Sequence, residues 1–558
     1  MELWEVKELW YHGNNQEALK LLDHLPPQDQ LEGKIIKSLI LFQFGSINSA
    51  FELSEVALKE AHEKDIKEII FIASVAYAWL ISFQGRFRNA SILLAETENL
   101  WTSIQSEISV HTTEGEDRND RELMLWFGVL NFVRGFCYNF MGDNQASTER
   151  VSKGLEITTK VGNKWFIAVA YYYQTWVYIF NDNLDHAKNS VDLCISLFQE
   201  LGNKTWESFA INISSILSNK NSNLSEAVNY SILSLEMSEK EENFWGVIFS
   251  SYWIWQHYRK MGKTSQVLLY FTEKMKQYSE IDFKWGQLAI LPRIASIHVA
   301  LGEIDLAITQ YNDKIALERI IGHELDQVWS YQRIANLYGE KGDFENAFKH
   351  YNNALQICIK YDRMDLISET LFLLGKSNYQ FGNLEVSINF LNKSLNYLDE
   401  IGDQWKIGEV HLLIGENYLG NGQLSLALDS FAKSIEMFEN MDATVFPSNR
   451  RNWSFALLSM GKIHRIQKEF EKSEEYYKRA LEYFRETNDQ VVISKILYHL
   501  ISLMIDSDDI NIARVYLKEL ENYSRSQNHP HIRLYYRISK AIILKNSPRM
   551  REKSQAQE

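Results

Sequence analysis

Apolar side chains along this chain recur at the spacing of amphipathic helices, and the helices themselves recur at a fixed interval. Around Gly342 the pattern predicts a helix over 329–338, a turn at Gly342-Asp343 and a second helix over 344–359. In each unit of this kind, a turn residue is followed five positions later by a small residue. These pairs are Gly13/Ala18, Gly45/Ala50, Gly85/Ala90, Gly142/Ser147, Asp182/Ala187, Ser222/Ala227, Gly262/Val267, Gly302/Ala307, Gly342/Ala347, Gly382/Ser387, Gly422/Ala427, Lys468/Ser473 and Asp508/Ala513.

The interval between turn residues is 40 at every step from Gly142 to Gly422. A fixed period of this size is typical of helical repeat arrays, in which each helix pair buries its apolar face against its neighbours. We predict a single all-α solenoid over residues 1–558, with thirteen helix pairs and the beginning of a fourteenth.

Three segments of the chain are predicted to be irregular. The step from Gly85 to Gly142 is 57, which predicts an inserted polar loop at 103–120. The later step from Gly422 to Lys468 is 46, which predicts a short insertion at 442–449. Residues 547–558 predict only a terminal helical stub in place of the polar cap that closes a solenoid. We therefore expect either that the chain is a fragment of a longer protein or that it ends in a loose helical stub.

Two units carry a more specific pattern of leucine or isoleucine, glycine, tyrosine and turn glycine: Leu374-Gly375, Tyr379 and Gly382, and Ile414-Gly415, Tyr418 and Gly422. This pattern resembles the signature of tetratricopeptide repeats, and the resemblance covers nearly the whole chain. It implies a right-handed α-solenoid of tandem antiparallel helix pairs. Arrays with this long period resemble the sensor arms of large signalling ATPases and the light-chain or polarity-scaffold type of adaptor.

A tryptophan also recurs near the start of the first helix of many pairs. We interpret these residues as structural wedges that pack each pair onto the last, and the alternative is a row of aromatic docking sites. The set is Trp126, Trp165, Trp206, Trp245, Trp285, Trp329, Trp405 and Trp453.

Composition and charge restrict the possible functions. The 558 residues are 45% hydrophobic with only 6 prolines, so the chain can bury a large core. The net charge of -15 disfavours general nucleic-acid binding, including the single-stranded RNA binding of some helical repeats. We find no signal peptide and no apolar run long enough for a membrane helix, and the 3 cysteines lie far apart. These features predict a cytoplasmic protein.

Catalytic motifs are missing from the sequence. Gly262-Lys263-Thr264 ends like a phosphate-binding loop, but its first glycine would fall at His257 and the segment joins two helices. His529 and His531 have no third metal ligand nearby. We therefore predict a protein that is not an enzyme and has no cofactor or metal.

The family resemblance implies a concave groove lined by the first helix of each pair, with ligand-facing positions thirteen, ten, nine, six and three residues before the turn residue. Counting back gives an aromatic lining in the first half of the chain and a polar lining later. The predicted groove residues are Trp79, Phe132, Phe136, Tyr172, Tyr173, Trp176, Tyr252, Trp253, Arg293, Gln332, Arg333, Asn336, Lys376 and Lys462, with Arg465 beside them. A tightly wound superhelix would instead bury some of these rings against adjacent pairs.

This groove predicts a non-catalytic scaffold or adaptor that holds a protein or peptide segment. The alternative is a ligand-sensing regulatory arm of a larger signalling protein. The carboxylate clamp of chaperone-binding members is matched only at Asn336, whereas Glu409 and Leu413 occupy positions where the clamp is basic. Self-association through the end pairs is left open.

Overall fold

The computed structural model describes residues 2–83, 86–111, 118–141, 143–439, 447–486, 489–526 and 529–546. Within these ranges the protein has 27 α-helices and no strand, as the sequence predicts for an all-α repeat protein. By their contacts the helices fall into two compact units, Met1–His323 (unit 1) and Glu324–Glu558 (unit 2).

Unit 1 contains the first sixteen helices. They are α1 (Leu3–Tyr11), α2 (Asn15–Leu22), α3 (Gln30–Gln43), α4 (Ile47–Glu63), α5 (Lys67–Phe83), α6 (Phe87–His111), α7 (Arg118–Met141), α8 (Asn144–Val161), α9 (Lys164–Phe180), α10 (Leu184–Leu201), α11 (Lys204–Lys220), α12 (Leu224–Lys240), α13 (Phe244–Lys260), α14 (Thr264–Glu280), α15 (Lys284–Ala300) and α16 (Ile304–Ile320).

Unit 2 contains the remaining helices of the described chain. They are α17 (Gln327–Glu340), α18 (Phe344–Lys360), α19 (Met364–Gln380), α20 (Leu384–Ile401), α21 (Gln404–Gly420), α22 (Leu424–Glu439), α23 (Pro447–Ile466), α24 (Phe470–Glu486), α25 (Gln490–Asp506), α26 (Ile510–Ser526) and α27 (Pro530–Asn546).

The division into two units differs from the predicted single array. The connection from α16 to α17 spans residues 321–326, whereas the connection from α14 to α15 spans only 281–283. The turn glycines Gly302 and Gly342 nevertheless keep the 40-residue step across this boundary. The 40-residue period therefore measures the spacing between the turns inside successive pairs. It does not reveal a longer connection between one pair and the next.

The predicted turn residues have the backbone conformations that a tight helix-to-helix turn needs. Gly342 has φ +75°, a left-handed conformation in which a side chain is strained, and Asp182 adopts φ +56° in the equivalent turn. The following residue then caps the second helix: the Asp343 carboxylate accepts a hydrogen bond from the Asn346 backbone N–H at 3.1 Å. The turn marks Gly85 and Gly142 lie outside the described residues.

The two helices of a pair approach each other at small residues. Gly375 on α19 leaves no room for a side chain, because a Cβ there would lie 2.7 Å from Leu391 of α20. Ser387 donates a hydrogen bond to the Gly375 carbonyl at 2.7 Å, and Ser394 donates to the Ser368 carbonyl at 2.8 Å. Serine thus fills a position for a small residue and satisfies its own hydroxyl on the facing helix.

Successive first helices form the inner layer of each unit. In unit 2 the helices α17, α19, α21, α23 and α25 contact one another in order, whereas contacts between successive second helices are sparse among the described residues. In unit 2 it is therefore the first helices that link one pair to the next.

The predicted irregular segments are only partly described. The loop predicted at 103–120 is wrong at both ends, because α6 continues to His111 and α7 begins at Arg118. Residues 112–117 lie outside the described residues. The insertion predicted at 442–449 is helical from Pro447, where α23 begins, and its earlier part lies outside the described residues. The stub predicted at 547–558 also lies outside them.

None of the helices in the described ranges combines the length and apolar character needed to cross a membrane.

A buried charged triad joins three helices of unit 1. Lys7 of α1 pairs with Glu32 of α3 at 2.5 Å and also with Glu122 of α7, and the three side chains are 11%, 17% and 22% exposed. Burial raises the pKa of Glu32 from its ordinary 4.5 to about 7, reinforced by the Glu122 charge and opposed by Lys7. One ammonium therefore serves two carboxylates that repel each other.

We expect this triad to make stability fall as the pH rises. The folded state holds a proton on Glu32 that the unfolded chain releases, so the stabilisation is complete below pH 4.5 and lost as the pH passes 7. Between pH 5.5 and 8, the free energy of unfolding should fall by about 1–3 kcal/mol more in the wild type than in Glu32→Gln. Chemical denaturation at the two pH values checks this, with the exposed Glu8→Gln as control. Equal pH dependence in the wild type and Glu32→Gln would contradict it.

Candidate functional site

Four of the predicted aromatic groove residues in unit 1 are buried. Trp79, Phe132, Tyr172 and Tyr173 are between 0% and 7% exposed. The Phe132 and Tyr173 rings stack with centroids 5.0 Å apart, and the Trp79 indole N–H donates to the Tyr173 hydroxyl at 2.5 Å. Burial raises the pKa of Tyr173 well above its ordinary value. The prediction that these four rings line an open groove is wrong, because they form part of the core.

The first helix of unit 1, α1, packs against helices α9 and α11 in the middle of the unit. The Trp10 and Tyr11 rings of α1 lie 4.7 Å and 5.4 Å from the ring of Trp165, which begins α9. The Asn203 side-chain amide, at the start of α11, donates to the Tyr11 carbonyl at 3.0 Å. These contacts join parts of the chain more than 150 residues apart in sequence.

Helix α3 of the second pair makes similar contacts with α13. The Phe42 ring of α3 stacks on Trp245 of α13 with centroids 5.0 Å apart. Beside it, Phe244 packs so closely on Gly45 that a Cβ there would lie 2.7 Å from the ring. The pocket left between Phe42, Trp79 and Trp245 has a small cavity volume of about 30 Å³. The N-terminal helices thus pack against the recurring tryptophans Trp165 and Trp245 and beside one predicted groove residue, Trp79.

The remaining aromatic groove residues of unit 1 are more accessible. Phe136 and Trp176 are half-buried, and the exposed Phe140 and Phe180 lie beside them on α7 and α9. Sequence reasoning missed Phe140 and Phe180, although each follows its partner by one helical turn. Tyr252 is 39% exposed.

Arg293 and Trp253 lie near the end of unit 1. The Arg293 guanidinium lies 5.3 Å from the centre of the Tyr252 ring, and its buried Nε has no hydrogen-bond partner among the described residues. Burial lowers the pKa of Arg293 to about 10, and Tyr311 and Tyr252 oppose this shift. The half-buried Trp253 stacks on His257 with centroids 5.6 Å apart.

The predicted polar lining of unit 2 contains exposed and structural residues. Arg333, Asn336 and Lys376 are exposed on α17 and α19. Gln332 is only 7% exposed, and its amide donates to the Thr370 hydroxyl at 3.0 Å. Gln332 therefore ties α17 to α19, and its assignment to an accessible groove is wrong because the neighbouring helix consumes its hydrogen bond.

Lys462 and Arg465 on α23 belong to a larger basic cluster. The half-buried Lys462 lies near Lys495 of α25, and its pKa is lowered chiefly by burial and then by the Lys495 charge, against the effect of Glu416. Arg465 donates to the Asp506 carboxylate at 2.6 Å. We define the basic cluster as Lys462, Arg465, Lys495 and His499.

His499 completes this cluster as a neutral ring. Its imidazole stacks on Tyr477 with centroids 5.7 Å apart. Burial lowers the pKa of His499 to about 3, and Lys462, Lys495 and Arg465 lower it further in that order. Sequence reasoning did not select Lys495 or His499, although they lie thirteen and nine residues before the turn residue Asp508. The same rule of counting back from the turn residue that selected Lys462 also selects Lys495 and His499.

The recurring tryptophans differ in their burial. Trp126, Trp165 and Trp206 are at most 4% exposed, as expected for structural wedges. Trp329, in the first turn of α17, is 46% exposed, so the wedge interpretation is wrong there. Trp245, Trp285, Trp405 and Trp453 are half-buried.

No metal-binding arrangement of three or more histidine, cysteine or acidic side chains occurs in the ranges that the structure describes. Cys137, Cys194 and Cys358 are buried and unpaired. Burial raises the pKa of the Cys358 thiol to about 11, and the hydrogen bond with Thr370 opposes the shift. These thiols are packing residues.

Comparison with known families identifies the repeats. Residues 324–400 match one family model described as tetratricopeptide repeat, and residues 456–487 match a second with the same description. Both matched segments lie in unit 2, and they show that the signature read from the sequence is that of tetratricopeptide repeats.

Individual relatives are distant. The chain is 24% identical over 216 residues to the regulatory protein RapG of Bacillus subtilis (strain 168), which is 38% of this chain and 54% of RapG. The chain therefore spans about half the length of this curated relative. A signal transduction ATPase with numerous domains and a tetratricopeptide repeat sensor, from Pyrococcus horikoshii, aligns with TM-score 0.41 and 13% identity over 67% of this chain and 54% of that one. Apo RapI aligns with TM-score 0.36 and 15% identity over 75% of this chain and 98% of that one.

The packing of α1 against α9 predicts that two of the recurring tryptophans contribute unequally to stability. Trp165→Ala should lower the free energy of unfolding by about 3–5 kcal/mol, because it removes the ring on which Trp10 and Tyr11 pack. The exposed Trp329→Ala should cost less than about 1 kcal/mol. Chemical denaturation of both variants measures the difference, and equal losses would contradict the role of Trp165 in this packing.

Proposed function

We propose that this tetratricopeptide repeat protein is a non-catalytic scaffold that holds a segment of a partner protein against the first helices of unit 2. The observation that carries the proposal is the exposure of Arg333, Asn336 and Lys376 on α17 and α19. Asn336 and Lys376 occupy the same position in consecutive pairs, six residues before the turn glycines Gly342 and Gly382. A segment lying across these helices would therefore meet equivalent side chains at each step.

The available hydrogen-bonding groups support this location. Within the described residues, the Arg333 guanidinium and the Lys376 ammonium have no ion pair or hydrogen bond, so both can bind a partner. Asn336 is held in place because its side-chain oxygen accepts a hydrogen bond from the Tyr351 hydroxyl at 2.6 Å, which leaves its amide N–H groups to donate. Together these groups would bind backbone carbonyls and acidic side chains.

Unit 1 offers less accessible surface for this task. Four of its eight predicted aromatic lining residues are buried, and α1 and α3 pack beside one of them, Trp79. We therefore assign partner binding to unit 2.

A second candidate is a ligand-sensing regulatory arm. It is favoured by the similarity to a protein named as regulatory, RapG, over 38% of this chain. Both candidates place the ligand on the first helices, but the second expects a small ligand or short peptide and a conformational response. We place either function in the cytoplasm, because the three cysteines are unpaired.

We expect a charge reversal on the first helices of unit 2 to abolish partner binding. The wild type and Arg333→Glu/Lys376→Glu are immobilised and used to capture proteins from a lysate of the source organism. The captured protein is then purified, and its Kd for each form is measured. The double variant should weaken binding at least tenfold, because it replaces two cations with repelling carboxylates.

The matched control is Lys393→Glu/Lys433→Glu, which makes a similar change in charge on the second helices α20 and α22. It should bind as the wild type does, and all forms should retain the same thermal unfolding by circular dichroism. A partner that binds the two double variants equally would contradict the assigned face. If no protein is captured and a small molecule stabilises the wild type, the regulatory arm is favoured.

A further inference from the structure

A cavity with aromatic walls lies in unit 2, where the start of α18 meets the end of α19 and the turn into α20. Its volume is about 270 Å³, and it is lined by Phe344, Phe348 and Phe381. The Phe344 and Phe381 ring centroids are 3.7 Å apart. An apolar cavity of ~150 Å³ can bind benzene, so this one has room for one large side chain. We call these three residues, together with Glu345 and Ser377 of the same lining, the phenylalanine pocket.

Two of these rings are more exposed than the repeat requires. Phe344 and Phe348 are 48% and 45% exposed, and they lie two and six residues after the turn residue Gly342. The same positions of the neighbouring pairs hold aliphatic residues that are half-buried or buried: Ile304, Ile308, Leu384 and Ile388. Packing between pairs therefore does not need aromatic rings here, and the exposed ring surface is available to a ligand.

The phenylalanine pocket also contains a carboxylate that no basic group neutralises. Glu345 is exposed and forms no ion pair or hydrogen bond within the described residues, although Lys349 follows it by one helical turn. Ser377 is only 9% exposed, and its hydroxyl has no hydrogen-bond partner in the same ranges. Among the described residues that line the cavity, none is basic. The pocket thus combines ring faces with one negative charge and an unused hydroxyl.

We propose that the phenylalanine pocket binds a basic side chain, lysine or arginine, of a partner protein. The apolar stem of such a side chain would pack against the rings of Phe344, Phe348 and Phe381. The faces of aromatic rings attract a cation, and the charged head would form an ion pair with Glu345. The Ser377 hydroxyl would accept a further hydrogen bond from the same head.

An apolar or an acidic side chain satisfies the same groups less well. An apolar group would cover the Ser377 hydroxyl without offering it a partner and would remove water from Glu345, and each of these changes costs free energy. An acidic group would be repelled by Glu345. The net charge of -15 also favours the approach of a basic partner.

This site goes beyond the proposed function, because Arg333, Asn336 and Lys376 are not part of it. The two surfaces adjoin at Tyr351, which lines the cavity and donates a hydrogen bond from its hydroxyl to the Asn336 side-chain oxygen at 2.6 Å. The test below uses synthetic peptides and no captured partner. Its outcome is therefore independent of whether the scaffold function holds.

The test titrates the purified full chain with capped tripeptides and measures each Kd by saturation-transfer NMR, which suits weak ligands of a large protein. The peptides are acetylated and amidated Gly-X-Gly, in which X is lysine, arginine, acetyl-lysine or citrulline. The last two are neutral counterparts of the first two. We expect the better of the two basic peptides to bind at least about tenfold more tightly than its neutral counterpart, and the lysine and arginine arms identify the head group. Equal affinity of the charged and neutral peptides would overturn the choice of a basic ligand.

Glu345→Gln tests the charge of the pocket. It should weaken binding of the better basic peptide at least about fivefold, because it removes the counter-charge. The matched control is Glu385→Gln, which makes the same change in net charge at the same position of the next pair, between Leu384 and Ile388. The control should bind as the wild type does. Equal losses in the two variants would indicate nonspecific attraction to an acidic surface and would overturn the pocket.

Phe344→Leu/Phe348→Ile tests the rings, because it installs the residue types that the next pair carries as Leu384 and Ile388. Since these residues already occur in the repeat, thermal unfolding by circular dichroism should stay close to that of the wild type. Binding of the basic peptide should fall about threefold or more, because the ring faces are lost. Unchanged affinity in a folded variant would overturn the role of the rings.

Discussion

The close approach of the two helices within each pair is the constraint on which the rest of the structure depends. It requires residues without bulk at the crossing, and the chain supplies glycine, alanine or serine there. Gly415 and Gly461 show how strict the requirement is, because a Cβ at either would lie 2.5 Å and 2.6 Å from the facing rings of Phe431 and Tyr477. Once the pairs are this tight, successive first helices crowd together, and their side chains define the inner layer of each unit.

The side chains of the inner layer differ in chemistry and in exposure between the two units. In unit 1 it is rich in aromatic rings, and the N-terminal helices pack against some of them: Trp10 and Tyr11 pack on Trp165, and Phe42 stacks on Trp245. Burying these rings stabilises the fold and removes them from the surface. In unit 2 Arg333, Asn336 and Lys376 at these positions are exposed, whereas Gln332 is buried. The contrast directs the functional proposal to the second unit.

The half-buried charged side chains are also arranged in a regular way. Most half-buried lysines have a carboxylate from this chain, and the triad of Lys7, Glu32 and Glu122 shares one ammonium between two carboxylates. Lys462 differs from these lysines because it is half-buried and forms no ion pair within the described residues; burial lowers its pKa, and the Glu416 charge opposes the shift.

The sequence by itself determined the helix pairs, because their turns and small residues are local requirements repeated every 40 residues. It also placed Arg333, Asn336 and Lys376 on the first helices, since position within a repeat fixes the face of a helix. Only the tertiary structure decided which of those positions are open. The packing of Tyr11 on Trp165, the hydrogen bond from Gln332 to Thr370, and the hydrogen bond from Arg465 to Asp506 join residues from different pairs. A local period carries no information about such contacts, because they depend on how the pairs stack in space.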